Sequence, residues 1–343
     1  MTDTFYVSKD ELQILLNLFD NPIRVSYPFY DFTLVEGFVQ TDVVKLDFHA
    51  TSDRFRRNQS RFAGNVDEMP SFDDVLDVLL YSGIITYDNI FTLDSLIEDV
   101  SKWPDNRKGV FCPDTNVFYQ MFLRNYQRIG DDQIILVETV GEEINAARSH
   151  QLSPPTYREI MNSITRQKEW FTPLQNTLTK KSRRAQYLAY AEYQYYQQNA
   201  LQSYPGVYQS TANNDKNDQI IVDTAKAIQQ HRYLDLFLLT ADKGVKERCD
   251  EADVSCILLK IPRNLISTKC DHNQFVNLIS ALSRVFGIIK LNSTIIYGDF
   301  TGKNQDNYDK HRIDFQHKPV YEACKKHVQI CRKIDEIGIP VGE

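Results

Sequence analysis

Three hundred and forty-three residues, 42% apolar and 25% charged, are more than one small domain needs and hold enough apolar side chains for a real core. That balance excludes a disordered tail or low-complexity scaffold, and a net charge of −7 argues against a surface that coats nucleic acid throughout. No run of eighteen apolar residues is long enough to span a membrane, and the opening MTDTFYVSKDEL has neither the basic nor the apolar region of a signal peptide.

From the N-terminus, Ser8-Lys9-Asp10-Glu11 reads as a capping box opening a helix that carries Leu12, Leu15, Leu16 and Phe19. Two alternating runs, Phe32 to Val39 and Val43 to His49, predict strands. Helical patterns return at Phe72 to Leu80 and Leu93 to Val100, and Trp103-Pro104-Asp105-Asn106 is turn chemistry at a plausible boundary. Between them lies a basic patch, Arg54-Phe55-Arg56-Arg57 through Arg61-Phe62, that reads equally as an arm tracking a nucleic-acid strand or as a solvated loop.

The texture changes at Gly109. A short apolar run to Cys112 precedes an amphipathic segment, Asn116 to Arg128, then a strand at Ile134 to Val137 and a helix through Glu143. Downstream come a helix from Asp218 to Gln230, a strand at Leu236 to Leu239, a helix from Lys243 to Cys249 and a strand at Cys256 to Leu259. Short apolar strands alternating with helices predict an α/β parallel sheet covered by helices. The alternation is interrupted by a helical stretch, Ile144 to Ala200, with eight basic residues against three acids. After Pro262 a helix at Asn273 to Arg284, strands at Phe286 to Ile289 and Thr294 to Tyr297, a polar loop at Gly302 to Tyr308 and a helix at Val320 to Ile334 complete the chain. Three regions are expected: a mixed α+β region over 1–105, an α/β domain over 106–265 with an inserted basic helical segment at about 150–212, and an α+β extension over 266–343 that could pack with the first.

Six cysteines (Cys112, Cys249, Cys256, Cys270, Cys324 and Cys331) form no CxxC pair, so a reducing, cytoplasmic setting is expected. Cys324, His327 and Cys331 share a helix face and invite a zinc reading, but three ligands lack a fourth and packing is favoured.

Acids stand where an open parallel sheet presents its ligands, past the carboxyl ends of strands. Asp114 follows Cys112 in Cys-Pro-Asp-Thr-Asn, Glu143 lies on the helix after Val137, Asp218 opens the helix of Asn-Asp-Gln-Ile-Ile-Val, and Asp242 closes Thr240-Ala241-Asp242. Converging like charges raise one another's pKa, so such a cluster calls for divalent cations, and all-oxygen ligands suit Mg²⁺ or Mn²⁺. Two ions about 3.5–4 Å apart are arranged for phosphodiester hydrolysis. Helix capping is the plainer reading; it accounts for Asp218 and Asp242 but not for Asp114 after a proline with Thr and Asn behind it.

The ordered set Asp-Thr-Asn, Glu-Glu-Ile, Asn-Asp-x-Ile-Ile and Thr-x-Asp resembles the PIN-domain nucleases over roughly Lys108 to Pro262. The resemblance implies a PIN-like parallel sheet sandwiched by helices, with Asp114, Glu143, Asp218 and Asp242 binding the metal ions. It further implies that Asn116 orients Asp114 and contacts the scissile phosphate, that Thr240 holds Asp242 or a metal-bound water, and that Asp215 is an auxiliary ligand. Helix register alone does not choose between Glu142 and Glu143; the resemblance favours Glu143. The expected activity is Mg²⁺- or Mn²⁺-dependent endonucleolytic cleavage of single-stranded RNA, leaving a 5′-phosphate and a 3′-hydroxyl. The rivals are a catalytically silent module that binds RNA or protein, and a nuclease acting on DNA. The long interval between Glu143 and Asp218 sets the chain apart from compact toxin-type members. For substrate contact the candidates are Lys180, Lys181, Arg183, Arg184 and Arg148, the first four in one run. Tyr187, Tyr190 and Tyr193 recur every three residues, a spacing that favours a packed helix face over base stacking. No membrane partner is expected, and an oligomer is compatible with the sequence.

Overall fold

The computed structural model describes residues 3–104, 107–147, 150–175, 180–230, 234–300 and 310–337. Its strands, in chain order, are β1 (Asp3–Val7), β2 (Ile23–Ser26), β3 (Thr33–Val39), β4 (Val44–Phe48), β5 (Lys108–Pro113), β6 (Ile135–Val137) and β7 (Gln202–Tyr204). They continue with β8 (Leu234–Thr240), β9 (Cys256–Leu258), β10 (Thr268–Cys270), β11 (Ile288–Leu291), β12 (Thr294–Tyr297) and β13 (His311–Phe315). Two compact units divide the chain: residues 1–78, 151–184 and 265–343 form one, residues 79–150 and 185–264 the other. Both termini therefore belong to the same unit. Residues 79–105, expected with the N-terminal region, lie in the second unit, and the inserted segment is shared, 151–184 with the first and the rest with the second.

The first unit is built on an antiparallel sheet ordered β1-β13-β12-β11-β2-β3-β4-β10. Residues from opposite ends of the chain pair directly, Phe5 with Ile313 and Val7 with His311. The capping box before the first helix forms: the Ser8 amide donates to Glu11 Oε2 at 2.7 Å and the Glu11 amide to Ser8 Oγ at 3.3 Å. Helix His272–Phe286 buries one long apolar stripe including Phe275, Ile279, Leu282 and Phe286. It meets β3 where Gly37 has no side chain: a Cβ there would sit 2.8 Å from the Phe275 ring. The Gly302 to Tyr308 loop lies outside the described residues. In the last helix, Lys318–Ile337, Cys324 is buried beside Val328 while Cys331 is exposed, so packing accounts for the first thiol.

The second unit is α/β. Strands β5, β8 and β9 pair in parallel, as do β6 and β7, and a parallel bridge between Phe111 and Ile134 links β5 to β6. Val110, Phe111 and Cys112 are fully buried, which is why this strand reads as a continuous apolar run rather than an alternation. Each such side chain taken out of water contributes about 1.5–3 kcal/mol. Helices Glu138–Ala146, Asn214–Gln229 and Lys243–Ala252 pack on these strands. The amphipathic segment after Asn116 holds two short helices, Thr115–Tyr119 and Phe122–Tyr126, broken at Met121, whose φ of 46° is left-handed. Glu192 caps the second of these: its fully buried carboxylate accepts the Arg124 amide at 3.0 Å, and burial pushes its pKa up to about 8. Tyr193 and Tyr196 pack edge-on against Phe118 inside the core. Tyr193 also explains Gly141, where any Cβ would collide with the tyrosine hydroxyl.

Candidate metal centre

The parallel register places the site. Pro113 pairs with Leu239, so Asp114 leaves β5 beside Thr240 at the carboxyl end of β8, and the Asp114 amide donates to Leu239 O at 2.8 Å. Asp114 is almost wholly buried and caps helix Thr115–Tyr119, its Oδ1 accepting the Thr115 amide at 2.6 Å. Thr240, also buried, donates its hydroxyl to Asp114 Oδ2 at 2.8 Å and accepts the Asp242 amide at 2.9 Å. One threonine thus fixes both aspartates. Asp242 caps the following helix by accepting the Gly244 amide at 2.6 Å.

Glu143 comes in from helix Glu138–Ala146. Its Oε2 accepts the Thr115 hydroxyl, whereas Glu142 is exposed, so Glu143 is the acid that faces Asp114. Asp218, half-buried, stands in the first part of helix Asn214–Gln229. The loop leading in is pinned by buried Asn217, which accepts the Thr211 amide at 2.8 Å and donates to Thr211 O at 2.9 Å. Asn116 is half-buried in the first turn after Asp114.

These acids share one electrostatic environment. Burial, reinforced by Asp218 and Glu143, pushes Asp114 up to about 7 despite the hydrogen bonds from Thr240 and Thr115. Asp218 rises to about 6 through burial and then Glu143, with Asp242 and Asp215 adding and Arg248 opposing. Burial and Glu143 push Tyr119 up to about 12. Carboxyl groups that penalise one another's charge form a cluster that a cation relieves. The donor set is oxygen throughout, so its chemistry fits a hard divalent ion such as Mg²⁺ or Mn²⁺. Even so, among the described residues no three His, Cys, Asp or Glu side chains are gathered closely enough to hold a metal ion as they stand. Thr115 engages Glu143, and Arg248 draws the other acids, lying 3.6 Å from Asp218 Oδ2 and donating to Asp215 Oδ1 at 3.2 Å.

Arg248 and Thr115 are the participants that motif reading missed. Arg248 extends from helix Lys243–Ala252 past Gly244, where an added Cβ would lie 3.3 Å from its guanidinium. The signal available was that glycine, two residues past Asp242, with an arginine one helical turn further on.

The basic run at 180–184 belongs to the first unit, and packing there takes up part of it. Lys181 pairs with Asp74 at 3.0 Å and its amide donates to Glu68. Arg184 is buried with Nε donating to Val285 O at 3.1 Å, the Nε of Arg183 is also buried, and Lys180 is half-buried. Of the phosphate-contact candidates Lys180, Lys181, Arg183 and Arg184, helical register thus turns Lys181 and Arg184 into the first unit's own structure. Arg148 lies outside the described residues.

Residues 111–260 match the PIN domain family, a match that supports assigning that segment to the family. Its members are generally nucleases that use divalent metals. No curated protein and no solved structure matches the chain.

Proposed function

We propose that the chain is an endonuclease that hydrolyses phosphodiester bonds in single-stranded RNA with Mg²⁺ or Mn²⁺ as cofactor. The observation that carries this reading is the placement of buried Asp114 past β5, held by Thr240 at the end of β8 and linked through Thr115 to Glu143, with burial and then neighbouring acids raising both Asp114 and Asp218. Asp114, Glu143, Asp218 and Asp242 would hold two ions, with Asp215 as an outer ligand. When bound, such ions lower the pKa of water and stabilise negative charge on the phosphodiester oxygens. The chain's own residues orient: Thr240 fixes Asp114 and the Asp242 backbone, Thr115 fixes Glu143, and Asn116 is offered to the scissile phosphate. Water adds at phosphorus and the 3′-oxygen leaves, giving a 5′-phosphate and a 3′-hydroxyl. Free thiols at all six cysteines are in keeping with the cytoplasm, and among the described residues no helix is long and apolar enough to cross a membrane.

The test uses end-labelled RNA and DNA strands of equal length and sequence, each with Mg²⁺, with Mn²⁺ or with EDTA. Metal-dependent cutting of RNA is the expected result. Cutting of DNA alone moves the activity to DNA; strands bound but intact with either metal make this a silent binding module.

A further inference from the structure

The first unit contains a feature that the proposed chemistry does not use. Helix Ser52–Gln59 and the 3₁₀ segment Ser60–Glu68 bury Phe55, Asn58 and Phe62, and that register leaves Arg54, Arg57 and Arg61 on one ridge. The ridge borders a cleft of about 740 Å³ that also includes Phe32. Arg61 and Asp31 line a second cleft too, of about 400 Å³, which Arg166 and Lys290 also line. The two clefts therefore meet at Arg61, and five cations line them against Asp31 and Glu36.

Folding alone does not account for these charges. Like charges three and four residues apart on a helix each cost about 0.2–0.5 kcal/mol. Arg54 moreover sits in the first turn, the end where the helix dipole disfavours a cation. Arg57 and Arg166 have no ion-pair partner among the described residues. Two others are held in place: Arg61 pairs with Asp31 at 2.6 Å, and Arg54 donates to His49 O at 3.1 Å while lying 5.9 Å from the half-buried Phe32 ring. Cations strung along two joined clefts suit a repeating anion rather than a single phosphate, and a partly open ring beside them suits an unpaired base.

We infer that this cleft of the first unit is a docking site for single-stranded RNA, separate from the carboxylate centre. Naming RNA as the polyanion rests on the nuclease reading; the polyanionic chemistry of the site does not.

The full-length chain is tested in EDTA, where no cutting is expected, with a fluorescein-labelled oligouridylate of about 12 nucleotides and anisotropy read across a KCl series. Arg57→Ala combined with Arg166→Ala should raise Kd roughly tenfold at low salt and reduce the slope of log K against log salt by about 1.4, two single-strand phosphate contacts. Arg56→Ala, on the same helix but outside both clefts, should change neither. An unchanged slope in the double variant overturns the site. So does an equal loss in Arg56→Ala, which reports bulk charge, or a phosphoserine peptide that displaces the oligonucleotide from the wild type. Cleavage of the same oligonucleotide by the wild type in Mg²⁺ or Mn²⁺, assayed beside the titration, separates the two readings. Binding that needs Arg57 and Arg166 in a chain that never cuts sinks the nuclease and supports the cleft; cutting with an unchanged slope does the reverse.

Discussion

The carboxylates and the basic run at 180–184 both stand out in the sequence, and the fold treats them oppositely. Asp114, Glu143, Asp218 and Asp242 come from four separated segments yet share one electrostatic neighbourhood. Lys180 to Arg184 are contiguous, yet Lys181 and Arg184 are absorbed into ion pairing and burial. The difference is in what fixes each position. A residue just past a parallel strand is placed by backbone register, so Pro113 opposite Leu239 settles where Asp114 stands. A residue on a helix is placed by whichever face packs, and a charge count does not reveal that face.

The largest effect that would break this contrast is catalytic. Asp114→Asn keeps the shape of the side chain and removes the charge, and cleavage of a labelled RNA should fall by about 10²–10⁴-fold. Full activity in that variant would show that the convergence of the acids has no chemical purpose.

Next in size is a linkage effect on the metal-free protein. Asp114 rises from 3.8 to about 7 on folding, so the folded state binds the extra proton between those values. The stabilisation is full below about 4 and is lost as pH rises through about 7; Asp218, raised to about 6, acts in the same sense. In EDTA, the unfolding free energy of the wild type from urea titrations should therefore fall between about pH 5 and pH 8 relative to Asp114→Asn, by an amount on the order of 2 kcal/mol. Parallel curves for the two proteins would mean that the buried carboxyl is not held neutral. Added Mg²⁺ should erase the difference, because a bound cation favours the ionised form.

The same division governs how much of the molecule was legible. Strands β3, β4, β5, β6, β8, β9 and β12 were visible as alternating or continuous apolar runs, and Cys-Pro-Asp-Thr-Asn marked the end of β5. By contrast β1, β2, β7, β10 and β13 were not. β7 and β10 are three residues each, and β13 reads His-Arg-Ile-Asp-Phe, whose burial depends on pairing with β1 some three hundred positions away. Helix register left Glu142 and Glu143 equivalent and only the resemblance favoured Glu143; in the structure the Thr115 hydroxyl marks it, a contact between helices that no local pattern encodes. The arginines at 54, 57 and 61 read as a loop or an arm because the buried Phe55, Asn58 and Phe62 that set the helical face are interleaved with charges.

A smaller effect tests the buried end of the basic run. Arg184→Ala removes the donor to Val285 O and the guanidinium packed 3.6 Å from where a Gly287 Cβ would stand. It should cost about 1–3 kcal/mol of stability in urea denaturation and leave the salt slope for oligouridylate unchanged. A lower slope at full stability would return this arginine to the substrate.

The smallest effect decides the case of Lys181. Its pair with Asp74 keeps 20% and 16% of the two side chains exposed, so the interaction lies between a surface bridge and a buried one. Lys181→Ala should cost roughly 1 kcal/mol. Adding Asp74→Ala should then cost less than Asp74→Ala does alone, because each single change strands the other charge. If the two costs simply add and RNA affinity falls instead, the ammonium serves the ligand rather than the fold. Basic runs and carboxylate sets would then be equally readable from the sequence.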